Sequence, residues 1–154
     1  MAERGPSRPS GAAAHAATPE FRLEVTASTD DLDEQGRVSN VAVVGWIRDV
    51  AVAHSEAAGW DHAAYLRFGA FFVVRRHEVD YLRPVVAGER VALITHVAWW
   101  RAATCERRTR IVRLADGQEL ARAVTHWAFI SVADGRPRRI PPEVADAFAR
   151  TPSP

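Results

Sequence analysis

Thr29-Asp30-Asp31-Leu32-Asp33-Glu34-Gln35-Gly36-Arg37-Val38-Ser39-Asn40, running without a break into Val41 to Ala58, is the stretch whose reading decides the fold. Its first part is a polar loop with four carboxylates and a glycine, where a chain turns and can hold water. Its second part is the best helix candidate in the chain. Val43, Ile47, Val50, Ala51, His54 and Ala58 recur at helical spacing and fall on one face. Ser39 or Asn40 supplies a side-chain oxygen to cap the start, and Gly59 stands where a left-handed stop is expected. A carboxylate is thereby set a few residues ahead of the free N–H groups of a long buried helix. Those groups form a fixed positive end that can polarise a carbonyl, which Asp33 could attack or beside which it could activate water.

Working outward, Phe21 to Thr26 alternates apolar and polar residues with the period of a half-buried strand. After the helix, Ala63 to Phe68 suggests a second helical piece, ended by Gly69. The segment from Ala70 to Leu82 is β-branched and aromatic and stops at Arg83-Pro84. Gly88-Glu89 is a turn, and Arg90 to Trp100 is a strand with Val91, Leu93, Thr95, Val97 and Trp99 expected on one side. Thr104 to Leu114 and Glu119 to Val132 follow, joined by the hairpin signal Ala115-Asp116-Gly117-Gln118. Pro142 suits the first position of a C-terminal helix reaching about Arg150. One strand, one long helix and four strands with hairpin-type connections give an α+β fold, an antiparallel sheet wrapped around the helix. Small residues Ala42, Gly45, Ala51, Ala53, Ala57 and Ala58 would let that sheet approach closely.

The 154 residues suit one domain, placed at 20–150, and 47% hydrophobic composition suffices for its core. Residues 1–19, rich in Ala, Pro, Ser, Gly and Arg, read as a disordered tail, and so do residues 151–154. A net charge of +1 provides no field for nucleic acid or a membrane surface. No apolar run approaches the roughly 20 residues of a bilayer span. All 20 basic residues are arginine, which excludes lysine Schiff-base chemistry. The single Cys105 cannot close an internal disulfide and, in a strand without a motif partner, reads as a buried structural thiol. These features fit a cytoplasmic protein, which is the expectation. Histidines 54, 62, 77, 96 and 126 lack zinc-ligand spacing, so no metal is assigned. His54, on the apolar helix face, reads as a core or interface residue. Of Trp99 and Trp100, on opposite strand faces, one is expected in the core.

The motifs add a resemblance. Asp31-Leu32-Asp33-Glu34-Gln35-Gly36-Arg37-Val38-Ser39-Asn40 is similar to the Asp-x-Asp-x-x-Gly-x-Val signature, with Asn or His two residues on, of hotdog-fold acyl-CoA thioesterases of the 4-hydroxybenzoyl-CoA thioesterase class. Val79-Asp80-Tyr81-Leu82-Arg83-Pro84-Val85-Val86-Ala87-Gly88-Glu89 resembles the family's tyrosine, proline and glycine stretch. Asp116-Gly117 and Ile140-Pro141-Pro142-Glu143 follow in the family's order, and Trp46 falls where the helix often carries an aromatic residue. The resemblance implies the hotdog fold and hydrolysis of an acyl-CoA or acyl-carrier-protein thioester, with no cofactor. It implies a homodimer or homotetramer with the site at the subunit boundary.

By position, Asp33 corresponds to the catalytic carboxylate, and the Asn40 N–H to the group that polarises the thioester carbonyl. Gly36, Arg37, Val38, Val43 and Arg83 would line the substrate site. Val43 replaces a frequent tyrosine and Arg37 a frequent histidine, which points to a different acyl end. The resemblance together with the lysine-free, alanine-rich composition suggests a place in secondary metabolism. The chemistry needs no raised pKa, because a carboxylate is ionised at neutral pH. The bland alternative makes the loop acids mere turn and cap acceptors. Asp31 is expected to order the loop, and Asp49 and Glu56 to belong to a solvated helix face. Arg75, Arg76, Arg83, Arg107, Arg108 and Arg110 are the guanidinium candidates for coenzyme A phosphates. Two other readings stand beside hydrolysis: a non-catalytic acyl-thioester binding domain, and a hotdog dehydratase or hydratase, which would need a histidine that the helix start lacks.

Overall fold

The computed structural model describes residues 17–151 and 154. Most of the tail expected at residues 1–19 lies outside the described residues, as do positions 152 and 153. Within the described part, Thr18 is buried and its Oγ1 accepts from the Val97 N–H at 2.9 Å, so ordered structure begins ahead of residue 20.

The long helix α1 spans Asn40–Ala57, capped by Ser39, whose Oγ accepts from Ala42 N–H at 3.1 Å. It buries Val43, Trp46, Ile47, Val50, Ala51 and His54. The expected face is therefore present, except that Ala58 is only half-buried and Trp46 joins it. Five strands follow the sequence reading closely: β1 (Phe21–Thr26), β2 (Ala70–Tyr81), β3 (Arg90–Arg101), β4 (Thr104–Arg113) and β5 (Glu119–Ser131). The short α2 (His62–Phe68) ends at Gly69, whose φ of 88° makes a left-handed stop that glycine adopts without strain. The last helix, α3 (Pro142–Ala149), begins with proline as expected.

The strands form one antiparallel sheet in the order β1-β3-β4-β5-β2. This corrects the expectation of hairpin connections throughout. Only β3-β4-β5 is a meander, while β2 pairs with β5 at the far edge and the chain must cross the sheet end to reach β3. The crossing segment 82–89 is pinned along its length. Leu82 and Arg83 N–H donate to the Leu120 carbonyl, Val85 carbonyl accepts from Val38 N–H at 2.8 Å, and Gly88 N–H reaches Ala27. A second correction concerns β3. A register shift between Val97 and Trp99 breaks the alternation, so Trp100 enters the core with 4% of its surface exposed and Trp99 is left half-buried.

The core has two halves. One gathers Phe21, Val43, Trp46, Ile47, Val50, Leu93, Ile111 and Leu120 around the first turns of α1. The other gathers Tyr65, Val97, Trp100, Phe129, Val144 and Phe148 near α2 and α3. Four buried polar side chains, His54, Thr95, Arg107 and Thr109, are hydrogen-bonded to one another. Among the described residues no helix is long and apolar enough to cross a membrane.

Candidate active site

The crossing segment and the acidic loop hold each other. Arg37 bridges to Val86, Leu32 to Val38, and Ser39 N–H donates to the Asp31 carbonyl at 2.8 Å. The loop is thereby fixed on both sides just ahead of α1. Asp31 closes its first turn, a 3₁₀ turn at Thr29–Asp31, by accepting from Ser28 N–H at 2.9 Å and Ser28 Oγ at 3.1 Å. Asp31 thus orders the loop, as its position suggested.

Asp33 is half-buried. Its Oδ1 accepts from Gln35 N–H at 2.9 Å and Arg37 N–H at 3.1 Å, while its own N–H donates to the Arg37 carbonyl. Part of the bland reading therefore holds, since one carboxylate oxygen is a turn acceptor. The other oxygen, Oδ2, has no hydrogen-bond partner among the described residues. Two backbone donors fix the carboxylate's direction and leave its second oxygen available.

At the helix start, the Ser39 side chain and carbonyl take Ala42 and Val43 N–H. The N–H groups of Asn40 and Val41 have no acceptor among the described residues. They are the unsatisfied donors of a helix N-terminus, carrying its partial positive charge.

Asp33 and Asn40 line the same cleft, about 270 Å³ in volume. Of the expected substrate residues, Arg37, Val38, Val43 and Arg83 line it too. Gly36 does not; its φ of 75° makes the tight turn between Asp33 and Arg37. The cleft also takes in Trp46, Tyr81, Leu82, Pro84, Val85, Ile111, Leu120 and Ala121. Tyr81 to Val85 belong to the stretch singled out in the sequence. Leu120 and Ala121 come from β5 because the crossing segment hydrogen-bonds there, which strand alternation alone does not reveal. Tyr81, Leu82 and Val86 leave nearly half of their surface exposed around this region, and Val41 leaves 83%. Asp49 is exposed and ion-paired with Arg48, and Glu56 is exposed, consistent with a solvated helix face.

His54 is a core residue, stacked on Phe21 at 4.8 Å with none of its surface exposed. Burial, and then the neighbouring Arg107, pull its pKa down to about 3. Arg107 corrects the list of phosphate candidates, because only 5% of it is exposed and its Nη1 donates to His54 Nδ1 at 3.0 Å. Cys105 is a buried thiol, its pKa pushed up to about 12 by burial. Among the described residues no three His, Cys, Asp or Glu side chains stand together as a metal site.

An antiparallel five-stranded sheet packed on one long helix, with a carboxylate-bearing loop at that helix's start, is the hotdog arrangement. The chain belongs to the thioesterase-like superfamily, whose family model matches residues 27–148. Among solved structures, it resembles a 1,4-dihydroxy-2-naphthoyl-CoA thioesterase from Synechocystis, with a TM-score of 0.80, 18% identity, and 88% of this chain and 100% of that one covered. A protein provisionally assigned as an oleoyl thioesterase from Lactobacillus plantarum gives a TM-score of 0.81 at 21% identity. That match covers 85% of this chain and 51% of the other, so the chain spans about half of its length. A Staphylococcus aureus protein solved in complex with CoA gives 0.80 at 11% identity, covering 89% and 87%. No curated protein matches the sequence.

Proposed function

We propose that the chain is a thioesterase that hydrolyses an acyl-CoA or acyl-carrier-protein thioester to a free acid and a thiol. The supporting observation is a single cleft lined by both the half-buried Asp33 and the start of α1, where one carboxylate oxygen and two N–H groups have no partner among the described residues. The thioester carbonyl oxygen lies against the Asn40 and Val41 N–H groups, which stabilise the negative charge it gains. Asp33 Oδ2 either attacks the carbonyl carbon, expelling thiolate and leaving an anhydride for water to open, or takes a proton from the attacking water. The Gln35 and Arg37 N–H bonds hold the carboxylate throughout.

The loop signature resembles that of the 4-hydroxybenzoyl-CoA thioesterase class, and Val43, Trp46 and Arg83 around the cleft would set the acyl group taken. Working as a homodimer fits two open features. Among the described residues β2 is an edge strand paired on one side only, and Val41 and Val52 leave apolar surface exposed on α1. A thiol-release screen over aromatic, short, long and β-substituted acyl-CoAs tests the reading. Turnover of at least one class is expected. Tight acyl-CoA binding without release of thiol from any of them would replace hydrolysis by a binding role.

A further inference from the structure

A second cavity, of about 190 Å³, shares none of its lining residues with the Asp33 cleft. Its walls are aromatic: Trp60, Tyr65, Phe72, Trp100 and Trp127. Arg107 is also part of the lining, and it is the unusual member.

A buried guanidinium is normally matched by a carboxylate, since a charge taken out of water costs far more than neutral dipoles return. Arg107 has no ion pair among the described residues. Its partners are a neutral imidazole and a hydroxyl, His54 Nδ1 at 3.0 Å and Thr95 Oγ1 at 3.2 Å, with the Phe148 ring 5.7 Å away. Both hydrogen bonds use Nη1, so Nη2 and Nε keep three N–H donors without acceptors among the described residues. Burial pulls the guanidinium down to about 10, which leaves it cationic at neutral pH. The acids nearest the cavity do not serve it. Glu56 is exposed at the rim, and Asp61, also exposed, is engaged in capping α2 through Ala64 N–H. The Cys105 thiol in the lining stays neutral.

We propose that this cavity is a binding site for a compact apolar carboxylate, whose two oxygens pair with Arg107 and whose body packs among the tryptophans. A carboxylate matches the planar fork of a guanidinium with two parallel hydrogen bonds. A cavity of about 150 Å³ holds a benzene ring, so this one has room for a single ring or its branched-alkyl equivalent plus a carboxylate. The carboxylate belongs either to a free acid or to the far end of a thioester-linked dicarboxylic acyl group.

Calorimetric titration of the full chain with benzoate, benzamide and the coenzyme A monothioester of terephthalate tests this without any need for turnover. The benzoate and benzamide titrations contain no thioester, so their outcome is independent of whether the Asp33 cleft hydrolyses one. Benzoate is expected to bind at least tenfold more tightly than benzamide, with Arg107→Met removing that preference. If the thioester binds in an Arg107-dependent way and benzoate does not, the ligand is the acyl group's far carboxylate. If Arg107→Met does not fold, Phe72→Trp, which narrows the same cavity, is expected to weaken benzoate binding tenfold. Measurable but equal affinities for benzoate and benzamide, or no Arg107- or Phe72-dependent binding of either carboxylate, would overturn the proposal.

Discussion

Replacing His54 with glutamine tests how the buried polar layer is built. Arg107 can only donate, so His54 Nδ1 accepts and the ring proton sits on Nε2, which is buried without a partner. Protonating the ring would put a second cation 3.0 Å from the guanidinium, in a site where none of the ring is exposed. The charged or titratable groups facing it are Arg107 on β4 and His96 on β3, and both disfavour the cation. Phe21 and Phe148 pack against it from β1 and α3.

The folded pKa, lowered to about 3, lies below the ordinary 6.5 of the unfolded chain. Between those values the unfolded chain binds a proton that the folded protein refuses, so stability falls as pH falls through that window and is fully present above it. One pKa unit is worth about 1.36 kcal/mol, so His54 should cost the protein about 2 kcal/mol between pH 7 and pH 5. Glutamine offers Arg107 an acceptor oxygen but does not titrate. Urea denaturation followed by tryptophan fluorescence, at fixed protein concentration, should show the variant losing about 2 kcal/mol less than the parent over that interval. His77 and His96, whose pKa values burial also lowers, contribute alike to both curves and cancel. Parallel pH dependences would refute the neutral, buried imidazole.

Two further outcomes follow from the helix that carries the site. Ile47→Ala, at a position with 1% exposure in the core half beneath the cleft, should cost about 2–5 kcal/mol in urea denaturation, because the wall around it cannot fully collapse. Ser39→Ala removes the acceptor for Ala42 N–H and should cost about 1 kcal/mol by the same measurement.

The helix and loop were legible because their determinants are local. The spacing of Val43, Ile47, Val50 and His54, the Ser39 cap and the Asp33-to-Asn40 interval all lie within one segment. What was not legible depended on distant pairing. Nothing within residues 82–89 says that β2 lies beside β5 rather than β3, yet that crossing brings Pro84, Val85 and Leu120 to the cleft. The bulge after Val97 moved Trp100 inward and Trp99 outward, and no turn residue marks it. Arg107 had a usable signal, since it shares strand parity with Cys105, Thr109 and Ile111, all buried. Its charge drew it instead onto the list of surface phosphate ligands.

The central claim rests on the charge of Asp33 rather than on its place in the turn. Asparagine can still accept from Gln35 and Arg37 N–H through its amide oxygen, so Asp33→Asn keeps the loop and removes only the anion. Thiol release should be measured for this variant beside Glu34→Gln, an exposed neighbour, on whichever acyl-CoA the parent turns over. A fall of about 10²–10⁴-fold in kcat for Asp33→Asn, with an unchanged melting curve and full activity in Glu34→Gln, is the predicted result. Undiminished turnover by Asp33→Asn would contradict the account.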